Sequence, residues 1–221
     1  MAQATAIRAD QVCAVVLAGG EGRRMGGVDK GLQMLDAKPL ALHAIERLQA
    51  QTLGAPRTLA LNANRNLDAY AAWGFAVWPD TVGGFAGPLA GFHTALAHCG
   101  SDHGYLLTVP CDSPLFPLDL LARLAQALQS GTQPIAMACA ADGPQDRSLR
   151  RQPVFCLIKT SLRPSLAQFL ESGGRKIDAW TQAQGQIDVP LDQPHDDPRG
   201  FFNANTLAEL QTLQTAPPHS L

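Results

Sequence analysis

A chain of 221 residues with 46% hydrophobic residues carries enough apolar material for one substantial core and is short for two, so a single domain spanning 1–221 is expected. Seventeen Lys and Arg against nineteen Asp and Glu leave a formal net charge of -2; with no global basic footprint for nucleic acid, a small anionic ligand held by local cations fits better. Five cysteines, odd in number and without a C-x-x-C pair, argue against a disulfide framework or a structural metal site and point to the cytoplasm.

In chain order, the first residues, 1–10, are polar and short and are expected to be mobile, as are 216–221. The apolar run 12–18 reads as a strand. It is too short for a signal segment or for the roughly 20 apolar residues of a bilayer span, and it enters a loop instead of a cleavage site. That loop, running to Lys30 and Gly31, holds Gly19, Gly20, Gly22, Gly26 and Gly27 with Arg23, Arg24 and Lys30. Glycines let backbone N–H groups approach an anion, and the three cations suit a triphosphate. The P-loop pattern fails because Lys30 follows Asp29, and the dinucleotide pattern fails because Met25 stands where its third glycine belongs.

Next come a helix over 39–51 (PLALHAIERLQAQ), with Pro39 suited to its first turn, and strands over 57–62 (RTLALN) and 75–78. A helix over 88–98 (PLAGFHTALAH) precedes 105–109 (YLLTV), a continuous apolar run of the buried parallel-strand kind. A helix over 117–129 and strands over 135–140 and 154–158 follow, while 192–200 (DQPHDDPRG) reads as a loop, a candidate flap. This alternation predicts an α/β fold with a doubly wound, mostly parallel sheet.

In such sheets ligands bind at the carboxyl ends of strands. Asn62, Asp80 and Asp112 each close a predicted strand and so reach the rim occupied by the glycine loop. Asn62 and Asp80 also suit turns or helix caps. Asp112, between Pro110 and Pro114, suits Mg2+, which takes one or two carboxylates together with substrate phosphates. Cys111 beside it has no nearby histidine in sequence and is given no nucleophilic role, and His43, His93, His98, His103 and His195 are read as surface or helix-face residues.

LAGGEGRRMGGVDKG, then LNANR, WPD with GPLAG, VPCDSP and FFNANT, in that order from about residue 12 to 210, resemble the molybdenum cofactor guanylyltransferases. The first motif alone would indicate only the wider nucleotidyltransferase superfamily. The resemblance implies a three-layer α/β/α, Rossmann-like fold that transfers GMP from GTP to the terminal phosphate of Mo-molybdopterin and releases pyrophosphate. It further implies that Leu17, Ala18, Gly19, Gly20, Lys30, Asn62, Asp80 and Asp112 contact GTP, and that Asp112 also binds Mg2+. Lys30, Asp112 and Arg24 would serve catalysis, with Arg23, Arg24, Asn203 and Asn205 on molybdopterin and Arg151 and Lys176 as looser assistants. Gln152 stands where similar proteins often have a histidine before the proline. The N-terminal half would serve GTP and Mg2+, the C-terminal half the pterin, with transient contact to molybdopterin-loading or recipient molybdoenzyme proteins and none to membrane or nucleic acid.

The residues alone leave other outcomes open: cytidylyl transfer to molybdopterin, a non-catalytic nucleotide-binding regulator, or a sugar-1-phosphate nucleotidylyltransferase. Asn205, before TLAELQTL, also suits a helix N-cap.

Overall fold

The computed structural model describes residues 6–20, 27–81, 87–100, 102–141, 148–204, 206 and 209. Arg23, Arg24 and Asn205 lie outside the described residues, as does 216–221. Among the described residues, seven strands form one sheet: β1 (Val12–Leu17), β4 (Thr58–Asn62), β5 (Ala76–Trp78), β6 (Tyr105–Pro110), β7 (Ile135–Ala140), β8 (Arg150–Lys159) and β9 (Gln186–Pro190), in the order β5-β4-β1-β6-β8-β7-β9. Two short strands, β2 (Met34–Leu35) and β3 (Lys38–Pro39), pair separately as an antiparallel hairpin.

Strands β5, β4, β1 and β6 run parallel, and β9 runs parallel to β7. Only β8 is reversed, antiparallel to both β6 and β7. The chain winds outward from β1 through β4 to β5, then returns to β6 on the other side of β1. The strand order therefore switches direction between β1 and β6, where an α/β sheet opens a crevice at its carboxyl edge.

Side-chain alternation along β1 explains the three layers. Val12, Ala14 and Val16 pack with α1 (Leu40–Gln49) and α4 (Leu120–Ser130), while Cys13 and Val15 pack with α3 (Pro88–His98), α5 (Arg163–Glu171) and α6 (Ile177–Gln184). Tyr70, from the short α2 (Leu67–Ala71), joins the first of these cores. The longer helices contribute apolar stripes; in α1 it is Leu40, Ala41, Ala44, Ile45 and Leu48, at helical spacing. All five cysteines are free and buried, and no described helix is long and apolar enough to cross a membrane.

Several sequence expectations are corrected. Pro39 precedes α1 with ψ 140 and pairs in the hairpin, so it is not within the first helical turn. The helix expected from residue 117 starts at Leu120, because 117–119 form a turn whose Leu118 carbonyl accepts from the Thr52 amide. Residues 6–10 are not a loose end: Ile7 is buried in the core and Ala9–Gln11 form a 3-10 turn. The strand expected over 154–158 runs from Arg150 to Lys159.

Candidate active site

The end of β1 is bound on both sides. The Ala18 amide donates to the Asn62 carbonyl at 2.8 Å and the Cys111 amide donates to the Leu17 carbonyl at 3.1 Å, extending the ladders past the strand tips. Leu17, Ala18 and Gly19 thus leave the sheet in a fixed direction between β4 and β6. Gly19 is required by close approach: a Cβ there would stand 2.9 Å from Asn64 Nδ2 and 3.4 Å from Asn62 Oδ1. Gly20 follows, exposed, at the start of the glycine loop.

Asn62 and Asp80 come together as one unit. Asn62 is buried and its Nδ2 donates to the Trp78 carbonyl at 2.9 Å and to Asp80 Oδ1 at 2.8 Å. Asn64 adds a second clamp, its Nδ2 donating to Asp80 Oδ2 at 2.8 Å and its Oδ1 accepting from the Asp80 amide at 2.8 Å. Both carboxylate oxygens of Asp80 are therefore engaged by side-chain amides, which fix the direction of the carboxylate. Trp78, at the end of β5, stacks on His98 with ring centroids 4.6 Å apart, and His98 stays exposed on the last turn of α3, as the sequence reading expects.

Across the switch point, Lys30 Nζ donates to Asp112 Oδ2 at 3.0 Å, with side chains 19% and 16% exposed. That partial burial leaves the pair at the rim, reachable from the crevice yet shielded enough for its charges to count. Lys30 opens a 3-10 turn (Lys30–Leu32) capped by Asp29, whose Oδ1 accepts from the Gly31 amide at 3.2 Å. Asp29 in turn accepts from the Tyr70 hydroxyl at 2.5 Å and from Asn66 Nδ2 at 3.0 Å. Burial, then the Asp29 contact, raises the Tyr70 pKa well above its ordinary value, so the phenol stays a donor. Burial, then the neighbouring Asp112, pushes the Cys111 thiol up as well, in keeping with its exclusion from nucleophilic work.

Asn203 lies next to the Asp112 turn. Ser113 Oγ donates to Asn203 Oδ1 at 2.7 Å and the Ala204 amide donates to the Asp112 carbonyl at 2.8 Å, so the segment around Asn203 is stitched to this turn. Arg151 and Gln152 stand at the start of the reversed β8, hence at the same carboxyl edge. Arg151 is engaged by Asp188, with Nη2 to Oδ2 at 2.8 Å, an ion pair that holds its pKa above the ordinary value. Lys176 precedes α6 and is exposed. A cleft of about 450 Å³ opens along this half, lined by residues that include Ala140, Leu149, Leu191, Asp192, Asp196 and Phe201. The loop expected over 192–200 forms one wall of it and is tied down where Arg123 Nη1 meets Asp196 at 2.8 and 2.9 Å.

The residue set also bears on a divalent cation. Asp112 Oδ2 takes the Lys30 ammonium, and Oδ1 has no partner among the described residues, which suits one hard-oxygen ligand completed by water and phosphate. The one described cluster of three groups able to surround an ion, Asp119, His195 and Asp196, is elsewhere, and Arg123 already occupies its Asp196.

The sequence over residues 14–187 matches a family described as the MobA-like NTP transferase domain. The chain belongs to the MobA-like NTP transferases. A molybdenum cofactor guanylyltransferase of Albidiferax ferrireducens is 52% identical over 213 residues, covering 96% of this chain and 99% of that one. Another protein of that name, from Bordetella petrii, is 52% identical over 91% of this chain and 96% of its own length. Among solved structures, the molybdopterin-guanine dinucleotide biosynthesis protein A of Archaeoglobus fulgidus superposes with a TM-score of 0.70 at 21% identity, over 91% of this chain and 96% of that one. A 4-diphosphocytidyl-2C-methyl-D-erythritol synthase from Anaerococcus prevotii superposes at 0.68 with 9% identity, over 93% and 95%, so the nucleotidyltransferase fold is shared well beyond the MobA-like NTP transferases.

Of the residues expected from sequence, the described structure gathers Leu17, Ala18, Gly19, Gly20, Lys30, Asn62, Asp80, Asp112 and Asn203 along one edge. Asn64, Asp29, Asn66 and Tyr70 were not singled out. Asn64 lies inside LNANR and could have been read as a second amide at the strand tip; Tyr70 had no local signal, since its partner is 41 residues away.

Proposed function

We propose that this chain is a molybdenum cofactor guanylyltransferase, moving GMP from GTP to the terminal phosphate of Mo-molybdopterin with release of pyrophosphate. The observation that carries the reading is the 52% identity to proteins of that name over nearly the whole of both chains. The site supports it: glycine-loop ends, Lys30, Asp80 and Asp112 lie along one crevice whose second half continues toward Asn203 and β8.

Each residue has a role its chemistry can fill. The ends of the glycine loop give the triphosphate room for close backbone approach, and Asp80, held by Asn62 and Asn64, is a directed acceptor suited to the N1 and N2 donors of guanine or to ribose hydroxyls. Lys30 supplies a mobile point charge to a phosphate oxygen, and Asp112 restrains that charge in the free protein. Asp112 would hold Mg2+, which when bound supplies charge to offset repulsion between the two phosphates and to stabilise the leaving pyrophosphate. No residue need act as general base, because a phosphate nucleophile is already ionised near neutral pH. Asn203, with Arg23, Arg24 and Asn205, would serve the pterin side. Five free, buried cysteines support work in the reducing cytoplasm, where contacts with loading or recipient proteins would be transient.

The test is pyrophosphate release by the purified protein with Mg2+ and molybdopterin, comparing GTP with CTP and omitting the pterin in parallel. Release with GTP only, and only with pterin, is expected. Preference for CTP overturns the base assignment, and release without pterin overturns the acceptor.

A further inference from the structure

Arg65 follows Asn64 at the carboxyl end of β4 and is exposed, yet both arms of its guanidinium are used. Nη1 donates to the Gly27 carbonyl at 2.9 Å and Nη2 to the Gly20 carbonyl at 3.1 Å. Gly20 is the residue by which the chain leaves β1 for the glycine loop, and Gly27 is the residue by which it enters the stretch carrying Lys30. One rigid fork thus ties these two backbone points together. We infer that Arg65 is a positioning residue for the nucleotide site, fixing the β1 exit relative to the Lys30 arm.

Three physical points carry this. The guanidinium is planar and keeps two N–H vectors at a set separation, so the distance between the carbonyls it bonds is set with it. Peptide planarity makes the effect directional: with the Gly27 C=O turned to Arg65, the Val28 N–H of the same trans peptide faces the opposite way. The partial negative charges of two carbonyls beside a polyanion site are also covered by a permanent cation. The adjacent residues act in the same sense, since Asn66, at φ 51, and Tyr70 both hold Asp29, immediately before Lys30. A Cβ on Gly31 would stand 2.4 Å from the Tyr70 hydroxyl, so this arm is seated directly against α2.

The inference rests on the GTP reading of the site, and the experiment separates the two. Arg65→Ala and Arg65→Lys are compared with the unaltered protein in GTP kinetics, with and without a few millimolar guanidinium chloride, and in tryptic cleavage after Lys30 without nucleotide. The alanine variant is expected to raise KM for GTP about tenfold, the equivalent of two modest hydrogen bonds, with a smaller change in kcat and partial rescue by guanidinium. Cleavage at Lys30–Gly31 should quicken several-fold, because proteolysis follows the population of the locally opened arm. The lysine variant should recover only part of either effect. Unchanged cleavage overturns the inference whatever happens to KM, since Arg65 would then act on the nucleotide itself; faster cleavage with an unchanged KM overturns it too, leaving a role in stability alone. If the unaltered protein neither binds GTP nor releases pyrophosphate, the functional reading falls, while the cleavage rates still decide whether Arg65 holds the arm.

Discussion

Replacing Gly91 by alanine tests how the edge that carries Asn62 and Asp80 is built. Gly91 lies in the first turn of α3, buried, and a Cβ there would stand 2.5 Å from Asn62 Oδ1, 3.1 Å from Asn62 Cγ and 2.9 Å from Leu17 Cδ2. On helix propensity alone the substitution would stabilise by about 1 kcal/mol. Against that, the Asn62 amide cannot yield without giving up its bonds to Trp78 and Asp80, about 0.5–1.5 kcal/mol each. Overpacking adds about 1–3 kcal/mol. The clash wins, for a net loss of about 3 kcal/mol, which for a chain of this size lowers Tm by about 6–12 °C. Thermal melts followed by circular dichroism, with GTP affinity measured in parallel, read both consequences: Tm should fall and affinity should fall with it, because Asp80 loses a clamp. The double variant with Asn62→Ala should cost less than the two single changes summed, since the methyl then has no amide to displace. A Tm at or above that of the unaltered protein would refute the reasoning.

Other consequences follow from the same contacts. Tyr70→Phe removes the hydroxyl donor to buried Asp29 and should cost about 1–3 kcal/mol, visible as a lower calorimetric Tm; no change would mean that Asn66 and the Gly31 amide suffice. Asp112→Asn preserves volume but removes charge beside Lys30, and turnover should drop by at least about 100-fold with Tm nearly kept, whereas near-normal turnover would remove Asp112 from the reaction. His93, on α3, faces Arg163 and Glu171 on α5; burial first, then Arg163, lowers its pKa below the ordinary 6.5. The unfolded chain therefore binds a proton first as pH falls, so stability should decline below pH 6.5 and level off once the folded form is also protonated, a slope that His93→Gln should flatten in pH-dependent melts.

Much of the sheet was legible because its strands are buried on both faces and read as continuous apolar runs. β1, β6 and β7 lie within or nearly within their expected bounds for that reason. β9 escaped because QIDVP has only two apolar alternations and an edge position, and α2 because five residues give no period to read. α5 had one, with Leu166, Phe169 and Leu170 on a common face, but its short length hid it between loops. Residues at strand ends were legible as site candidates from position alone. Their mutual contacts were not: Asp29 with Tyr70 and Lys30 with Asp112 are separated by 41 and 82 residues, and such pairings follow from topology.

The reversed strand β8 has an evolutionary consequence. Because it runs against β6 and β7, the β7–β8 hairpin turns at the same edge as the crevice, between Ala140 and Arg150. A parallel strand in that slot would need a crossover there, whereas a hairpin tip can lengthen or shorten without re-routing the chain, at about 0.6 kcal/mol per doubling of its length. That end of the sheet can thus be rewritten by simple insertion while the β4–β5 side, locked by Asn62, Asn64 and Asp80, is left untouched. This offers one route by which a single scaffold changes length at one edge while its sheet order is kept.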